Sequence, residues 1–192
     1  MYPQKQLAAH LLGYLNMAGP DDLKHGYKHG DYVGRSGIEQ KLEQKLRGSP
    51  GFERIFVDAH GRRKSEHELG EMAQLAPQEM RREPQPGINA VLTIDLQLQR
   101  IVEEALSRHA SAAAAVVEAD SGRVLALASY PSPDPNLLSG RLSRGEAQRM
   151  ESDPFRPLLD KALRETYYPG STFKIIPALA ALEEGLVDPD QK

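Results

Sequence analysis

A serine and a lysine stand three residues apart in Ser171-Thr172-Phe173-Lys174, directly after the turn-forming pair Pro169-Gly170. Residues i and i+3 of a helix share a face. A helix opening at Ser171 therefore sets a hydroxyl and an amine one turn apart. A serine hydroxyl is a weak nucleophile until a neighbouring base takes its proton. Lysine serves as that base only when neutral, and both burial and the positive end of a helix dipole disfavour the ammonium. The free N–H groups of a first helical turn also suit an oxyanion. Together these residue types point to acyl transfer through a serine ester. The spacing alone is a weak signal. With 12 serines and 9 lysines in 192 residues, chance supplies about half a Ser-x-x-Lys match, and a solvated helix start explains it as well. The Pro-Gly turn before the serine and the apolar run after it favour the chemical reading.

The elements that must position this pair are partly legible. The last helix is expected from near Ser171 to Gly185, with a kink at Pro177, which lacks a backbone donor. Upstream, Ala112–Ala119 and Val124–Ser129 are apolar runs around Asp120-Ser121-Gly122, which reads as an antiparallel hairpin. Ala90–Ile94 reads as a short strand. Asp95 can cap a helix reaching about Arg108, with Leu98, Ile101, Val102, Ala105 and Leu106 on one face. Three prolines make Pro131–Asn136 irregular, and Ser143 with Glu146 has capping-box spacing before a short helix. In the first half, residues 3–19 read as a strand-like run ending at Gly19-Pro20, and residues 21–35 as loop. A helix is expected over Ser36–Arg47, where Ser36 and Glu39 again have capping-box spacing. Glu39 is read there as a capping group. Residues 52–60 suit a strand turning at His60-Gly61, and the proline-rich stretch 65–88 reads as a connector.

Composition narrows the function classes. Hydrophobic residues are 40% and charged residues 27% of the chain, and the net charge is −3. This is ordinary for a globular protein and gives no basic excess for nucleic acid. Arg62-Arg63-Lys64 and Arg81-Arg82 read as solvated surface. Cysteine is absent, which removes disulfides, thiolate zinc sites and a cysteine nucleophile. His25 and His29 have helical ligand spacing, but Gly26 and Gly30 break the helix, so no metal is expected, and no cofactor motif is present. No apolar run approaches the roughly 20 residues of a membrane span.

Several segments, in order, resemble class B penicillin-binding proteins. Tyr168-Pro169-Gly170-Ser171-Thr172-Phe173-Lys174 is similar to their active-site segment. Gly34-Arg35-Ser36-Gly37-Ile38-Glu39, then Leu46-Arg47-Gly48, resembles a motif of their non-catalytic pedestal (dimerisation) domain. Leu92-Thr93-Ile94-Asp95-Leu96-Gln97-Leu98-Gln99 resembles the start of their transpeptidase domain. Ala115-Val116-Val117, Asp120-Ser121-Gly122 and Leu125–Ser129 resemble its first hairpin, and Tyr130–Asn136 the loop that follows. Gly30–Gly37 and Asp153–Leu158 look like the elongation type, the penicillin-binding protein 2 group, rather than the division type.

The resemblance implies an α+β fold. It consists of a pedestal remnant, residues 1–86, followed by the N-terminal part of a transpeptidase domain, residues 87–192, an antiparallel sheet with helices. It implies a serine D,D-transpeptidase that cross-links peptidoglycan. By motif match Ser171 is the nucleophile, Lys174 the proton acceptor and the Ser171 N–H an oxyanion donor. The implied partners are the D-Ala-D-Ala end of the stem peptide, β-lactam antibiotics and a glycosyltransferase of the elongation machinery. The family also uses Ser-x-Asn and Lys-Thr-Gly, and neither occurs in this sequence. The expectation is an internal fragment with an unfinished site, inactive alone and poorly folded in its catalytic half, with an apolar sheet edge exposed. It would derive from a protein anchored in the inner membrane and facing the periplasm, with the anchor outside this chain. Two other readings are a pedestal module that binds an elongation partner and a penicillin sensor or β-lactamase relative.

Overall fold

The computed structural model describes residues 1–64 and 80–188. The part of the expected connector at 65–79 lies outside the described residues. In the first segment, residues 3–19 are not one strand. Turns lead into helix α1 (Ala9–Leu12), and only Leu15–Met17 form a strand, β1. Gly13 separates the two at φ 80, a left-handed conformation that glycine adopts without strain. The expected loop 21–35 also holds regular structure. Gly19 and Pro20 open helix α2 (Pro20–Lys24), and strand β2 (Tyr32–Gly34) pairs antiparallel with β1. Proline is well placed at a first helical position, because its missing donor has no intrahelical role there. Arg35 ties these pieces together. Its guanidinium donates to the Asp22 carboxylate at 2.6 Å and to the Met17 carbonyl at 2.8 Å.

The helix expected over Ser36–Arg47 forms as two pieces, α3 (Gly37–Lys41) and α4 (Glu43–Leu46). Its expected capping box does not form, since Ser36 makes no side-chain cap. Gly37 lies at φ 57, and a Cβ there would come within 2.5 Å of the Leu11 carbonyl. The first turn is thus set by backbone contact with the first segment, and Glu39 instead accepts from the Tyr2 hydroxyl. Downstream, β3 (Phe52–Glu53), β4 (Phe56–Val57), β5 (Arg63–Lys64) and β6 (Arg81–Arg82) form two short antiparallel pairs, with the turn near His60-Gly61 where expected. Mutual backbone bonds of 2.9 Å between Ser49 and Gln85 then draw the chain back onto this part.

The second half is built on a hairpin and one helix. Strands β7 (Ala112–Val117) and β8 (Val124–Tyr130) pair antiparallel around the expected turn, where Gly122 has φ 71. Helix α5 (Leu96–Leu106) packs across them. The Asp95 carboxylate accepts from the Gln97 and Leu98 amides, each at 2.9 Å, as its sequence position predicts. Ala90–Ile94 does not form a strand. Thr93 Oγ1 donates to the Val124 carbonyl of β8, and the adjoining Asp95 amide donates to the Leu125 carbonyl. The buried face of α5 also differs from expectation. Ile101 is 63% exposed, whereas Gln99 is fully buried.

Gln99 explains that difference. Its side-chain amide faces Leu127 as a peptide group would. Oε1 accepts from Leu127 N at 2.8 Å, and Nε2 donates to Leu127 O at 2.9 Å. Gln99 thus covers the outer edge of β8 at Leu127, while β7 has no strand partner on its outer side among the described residues. Nε2 also donates to Glu103 Oε1 at 2.7 Å, and that oxygen accepts from Ala8 N at 2.7 Å. Ala126 and Ala128 of β8 are buried, and small side chains there let the helix approach closely.

After the hairpin come α6 (Pro135–Leu138), α7 (Arg144–Ser152) and α8 (Lys161–Arg164). The expected irregular stretch therefore ends early, because Asp134 caps α6 through the Asn136 amide. The Ser143–Glu146 capping box forms on α7. A short 3₁₀ helix (Gly170–Lys174) leads into α9 (Ile175–Glu183). No kink is needed at Pro177. It falls in the first turn of α9, where an amide has least use. Among the described residues, no helix is long and apolar enough to cross a membrane.

Candidate active site

The motif segment is a tight turn. Gly170 has φ 55, a conformation open to glycine, and reverses the chain after Pro169. The Pro169 carbonyl accepts from the Thr172 amide at 3.2 Å and from the Thr172 hydroxyl. These bonds hold the turn from inside the Ser-x-x-Lys segment. The sequence reading assumed an α-helical first turn, but Gly170–Lys174 is 3₁₀. In a 3₁₀ helix residues i and i+3 eclipse, so Ser171 and Lys174 still share one face. Both are exposed.

The following helix is bare as well. Ile175, Ile176, Leu179 and Leu182 are all exposed, as are Leu186 and Val187 beyond it. Phe173 and Tyr168 are exposed too. Among the described residues, Ser171 and Lys174 line neither of two grooves near the joint and the motif segment. One groove of about 470 Å³ lies between α1, α3 and the 158–164 stretch and is lined by His10, Tyr14, Ile38, Leu138, Leu163 and Arg164 among others. Another, of about 480 Å³, is lined by Ser111, Lys161, Glu165 and Tyr167, just before the motif segment.

A buried polar cluster supports the approach to the motif. The Ser129 hydroxyl donates to Asp160 Oδ1 at 3.0 Å and accepts from Ala162 N at 3.0 Å. Lys161 is only 4% exposed and donates to the Arg156 carbonyl at 3.0 Å. Burial lowers its pKa from the ordinary lysine value. Arg156 itself has φ 49, which is unusual outside glycine, and its guanidinium pairs with Glu165 at 2.9 Å. None of these roles was visible in the sequence, because each depends on a carbonyl or carboxylate brought from elsewhere in the chain.

Other residues singled out in the sequence lie apart from the motif. His25 ends α2, with Nδ1 2.9 Å from the Asp21 carbonyl. Among the described residues, no group of three metal-ligating side chains comes together. Arg62 pairs with Asp58, and Arg63 with Lys64 forms β5.

The order of elements matches one class of protein. Residues 1–77 match the family model described as the penicillin-binding protein dimerisation domain, and residues 112–192 match the penicillin-binding protein transpeptidase domain. The chain belongs to the penicillin-binding proteins that join a dimerisation domain to a transpeptidase domain. Within that family it is similar to peptidoglycan D,D-transpeptidase MrdA. It is 32% identical over 194 residues to MrdA of Escherichia coli (strain K12), covering 97% of this chain and 29% of that protein. It is 30% identical over 191 residues to MrdA of Acinetobacter baumannii, covering 97% of this chain and 26% of that protein. The chain therefore spans well under a third of the length of these curated relatives. Among solved structures, it is similar to the penicillin-binding protein PBP2 of Helicobacter pylori, seen in complex with MreC, at TM-score 0.82 and 27% identity. That match covers all of this chain and 34% of the other. Pseudomonas aeruginosa PBP2 in complex with WCK 5153 gives TM-score 0.78 and 32% identity, covering all of this chain and 36% of the other.

Proposed function

We propose that this chain is a portion of an elongation-type peptidoglycan D,D-transpeptidase, with Ser171 as the acylated nucleophile and Lys174 as its proton acceptor. The observation that carries this reading is the shared face of Ser171 and Lys174 on a 3₁₀ turn, within the segment matching the transpeptidase model. Ser171 would attack the penultimate D-alanine carbonyl of a stem peptide, and its proton would pass to Lys174. D-alanine leaves, an ester forms, and an amine from a neighbouring stem then takes the acyl group. A β-lactam would open on the same hydroxyl. The Ser171 N–H, in the first turn of the helix, would donate to the oxyanion.

The division near residues 86–87 is supported by the Ser49–Gln85 pairing and by the Ile88 amide donating to Lys45 O at 3.0 Å, after which the chain leaves the first half. The first half is read as a pedestal with a docking role toward an elongation partner such as a glycosyltransferase. The H. pylori PBP2 relative, seen in complex with MreC, supports a protein partner for this chain. The inner membrane, with the domain in the periplasm, is the proposed setting of the parent protein. Turnover by these 192 residues alone is not expected, since Ser-x-Asn and Lys-Thr-Gly are absent from them. Losing one oxyanion donor alone costs about 3–4 kcal/mol of transition-state stabilisation.

Intact-mass spectrometry after incubation with a penicillin tests the assignment, with Ser171→Ala as control. A stable adduct of one penicillin, absent from the variant, supports Ser171 as an activated nucleophile. An adduct that persists in Ser171→Ala would sink it.

A further inference from the structure

We propose that the groove at the seam between the two halves of the chain binds a small apolar carboxylate, with Lys41 and Arg164 receiving its charge. The groove measures about 470 Å³, inside the range of roughly 300–1,000 Å³ common to small-ligand sites. Its lining comes from both halves. Leu11 of α1 and Ile38 of α3 belong to the first, and Leu138 of α6 and Leu163 of α8 to the second. An apolar lining with a few polar groups is the usual make-up of such a site.

The groove is held in shape by contacts that a ligand need not make. Gly13 and Gly37 bring the first segment and α3 together backbone to backbone. A Cβ at Gly13 would overlap the Ser36 carbonyl, and one at Gly37 would overlap the Leu11 carbonyl. His10 Nε2 lies 2.8 Å from the Pro157 carbonyl and joins α1 to the stretch before α8. A carbonyl only accepts, so Nε2 carries the proton. Walls fixed in this way lose little order when a ligand enters.

Charge selects the ligand. Besides the Tyr14 phenol, the lining side chains that can carry charge are His10, Lys41, Asp160 and Arg164. Asp160 is already engaged. Its Oδ1 accepts from the Ser129 hydroxyl at 3.0 Å and from the Ala162 and Leu163 amides at 3.1 and 3.2 Å. Lys41 and Arg164 are exposed, and among the described residues neither pairs with a carboxylate. The uncommitted charge is therefore positive, one cation from each half. An acidic headgroup complements it, and an apolar body covers the leucine and isoleucine lining. A ligand so held touches both halves and stabilises their joint by mass action. The site is separate from the Ser-x-x-Lys segment and stands whether or not Ser171 reacts.

The test titrates the whole chain with hexanoate, octanoate and decanoate by calorimetry. Affinity should rise with length, by up to about fourfold for each methylene taken out of water. Decyltrimethylammonium, with the same chain and the opposite charge, should bind about tenfold more weakly than decanoate. Reversing both exposed cations, Lys41→Glu with Arg164→Glu, should weaken decanoate about tenfold. Saturating decanoate should slow amide exchange in peptides spanning 9–14, 36–41 and 158–164. No binding of decanoate, equal affinity for the cationic amphiphile, or undiminished affinity in the double variant would overturn the proposal. So would protection confined to 175–187, where apolar side chains are exposed on and beyond α9. If the double variant fails to fold, the comparison of decanoate with decyltrimethylammonium on the wild-type chain decides.

Discussion

At the residue scale, the side chains with measurable consequences are the ones drawn into backbone contacts. Tyr2 is one. Its hydroxyl donates to Glu39 at 3.2 Å and accepts from the Leu15 amide at 3.0 Å. Burial first, and then the nearby Glu39 charge, push its phenol up to about 12. A raised pKa favours the protonated form in the fold. The stability attached to it is complete below about pH 10 and is lost as pH rises toward about 12. Denaturant midpoints measured across that range should fall for the wild type and fall less for Tyr2→Phe. The same midpoint in both proteins at every pH would refute the assignment. Ser171 and Lys174 show the limit of residue-scale reading. Their types and spacing were legible, but the 3₁₀ geometry was not. It depends on a Gly170 backbone angle and on Pro169 carbonyl bonding.

At the scale of elements, identical patterns had different fates. Ser143 and Glu146 form their capping box, while Ser36 and Glu39 do not. Ser143→Ala should cost about 1 kcal/mol, read by denaturant unfolding and as faster amide exchange in the first turn of α7. Ser36→Ala should change exchange and stability little. The physical reason is competition. Glu146 has no other partner among the hydrogen bonds described for it, whereas Glu39 is engaged by Tyr2 and the Gly37 backbone is fixed by Leu11. Helix α5 makes the same point. Periodicity located the helix and its Asp95 cap, but the stripe of apolar residues did not predict that Gln99 would be buried. Gln99→Leu should leave Leu127 N and O without their amide partner and cost about 2–4 kcal/mol, read as a drop in the urea midpoint. A wild-type midpoint would show that β8 does not depend on this contact.

At the scale of the whole molecule, the first sixteen residues are sewn to the second half. Tyr2 meets Asn136, Ala8 meets Glu103, His10 meets Pro157, and Asn16 meets the Leu138 carbonyl. Asn136→Ala should release the start of the chain, so that limited proteolysis cleaves within the first few residues faster than in the wild type while the 112–130 hairpin stays intact. Equal cleavage would mean that the remaining ties suffice. By itself, the sequence determined the class of protein, the hairpin, the Asp95 and Ser143 caps and the Ser-x-x-Lys pair. All of these rest on neighbours within a few positions, or on ordered motifs. Tertiary structure alone decided the loss of the Ser36 cap, the burial of Gln99 and the seats of His10 and Lys161. In each case the deciding partner is a group from another turn, strand or segment. Local spacing carries no information about which distant carbonyl or carboxylate folding will bring within hydrogen-bonding reach.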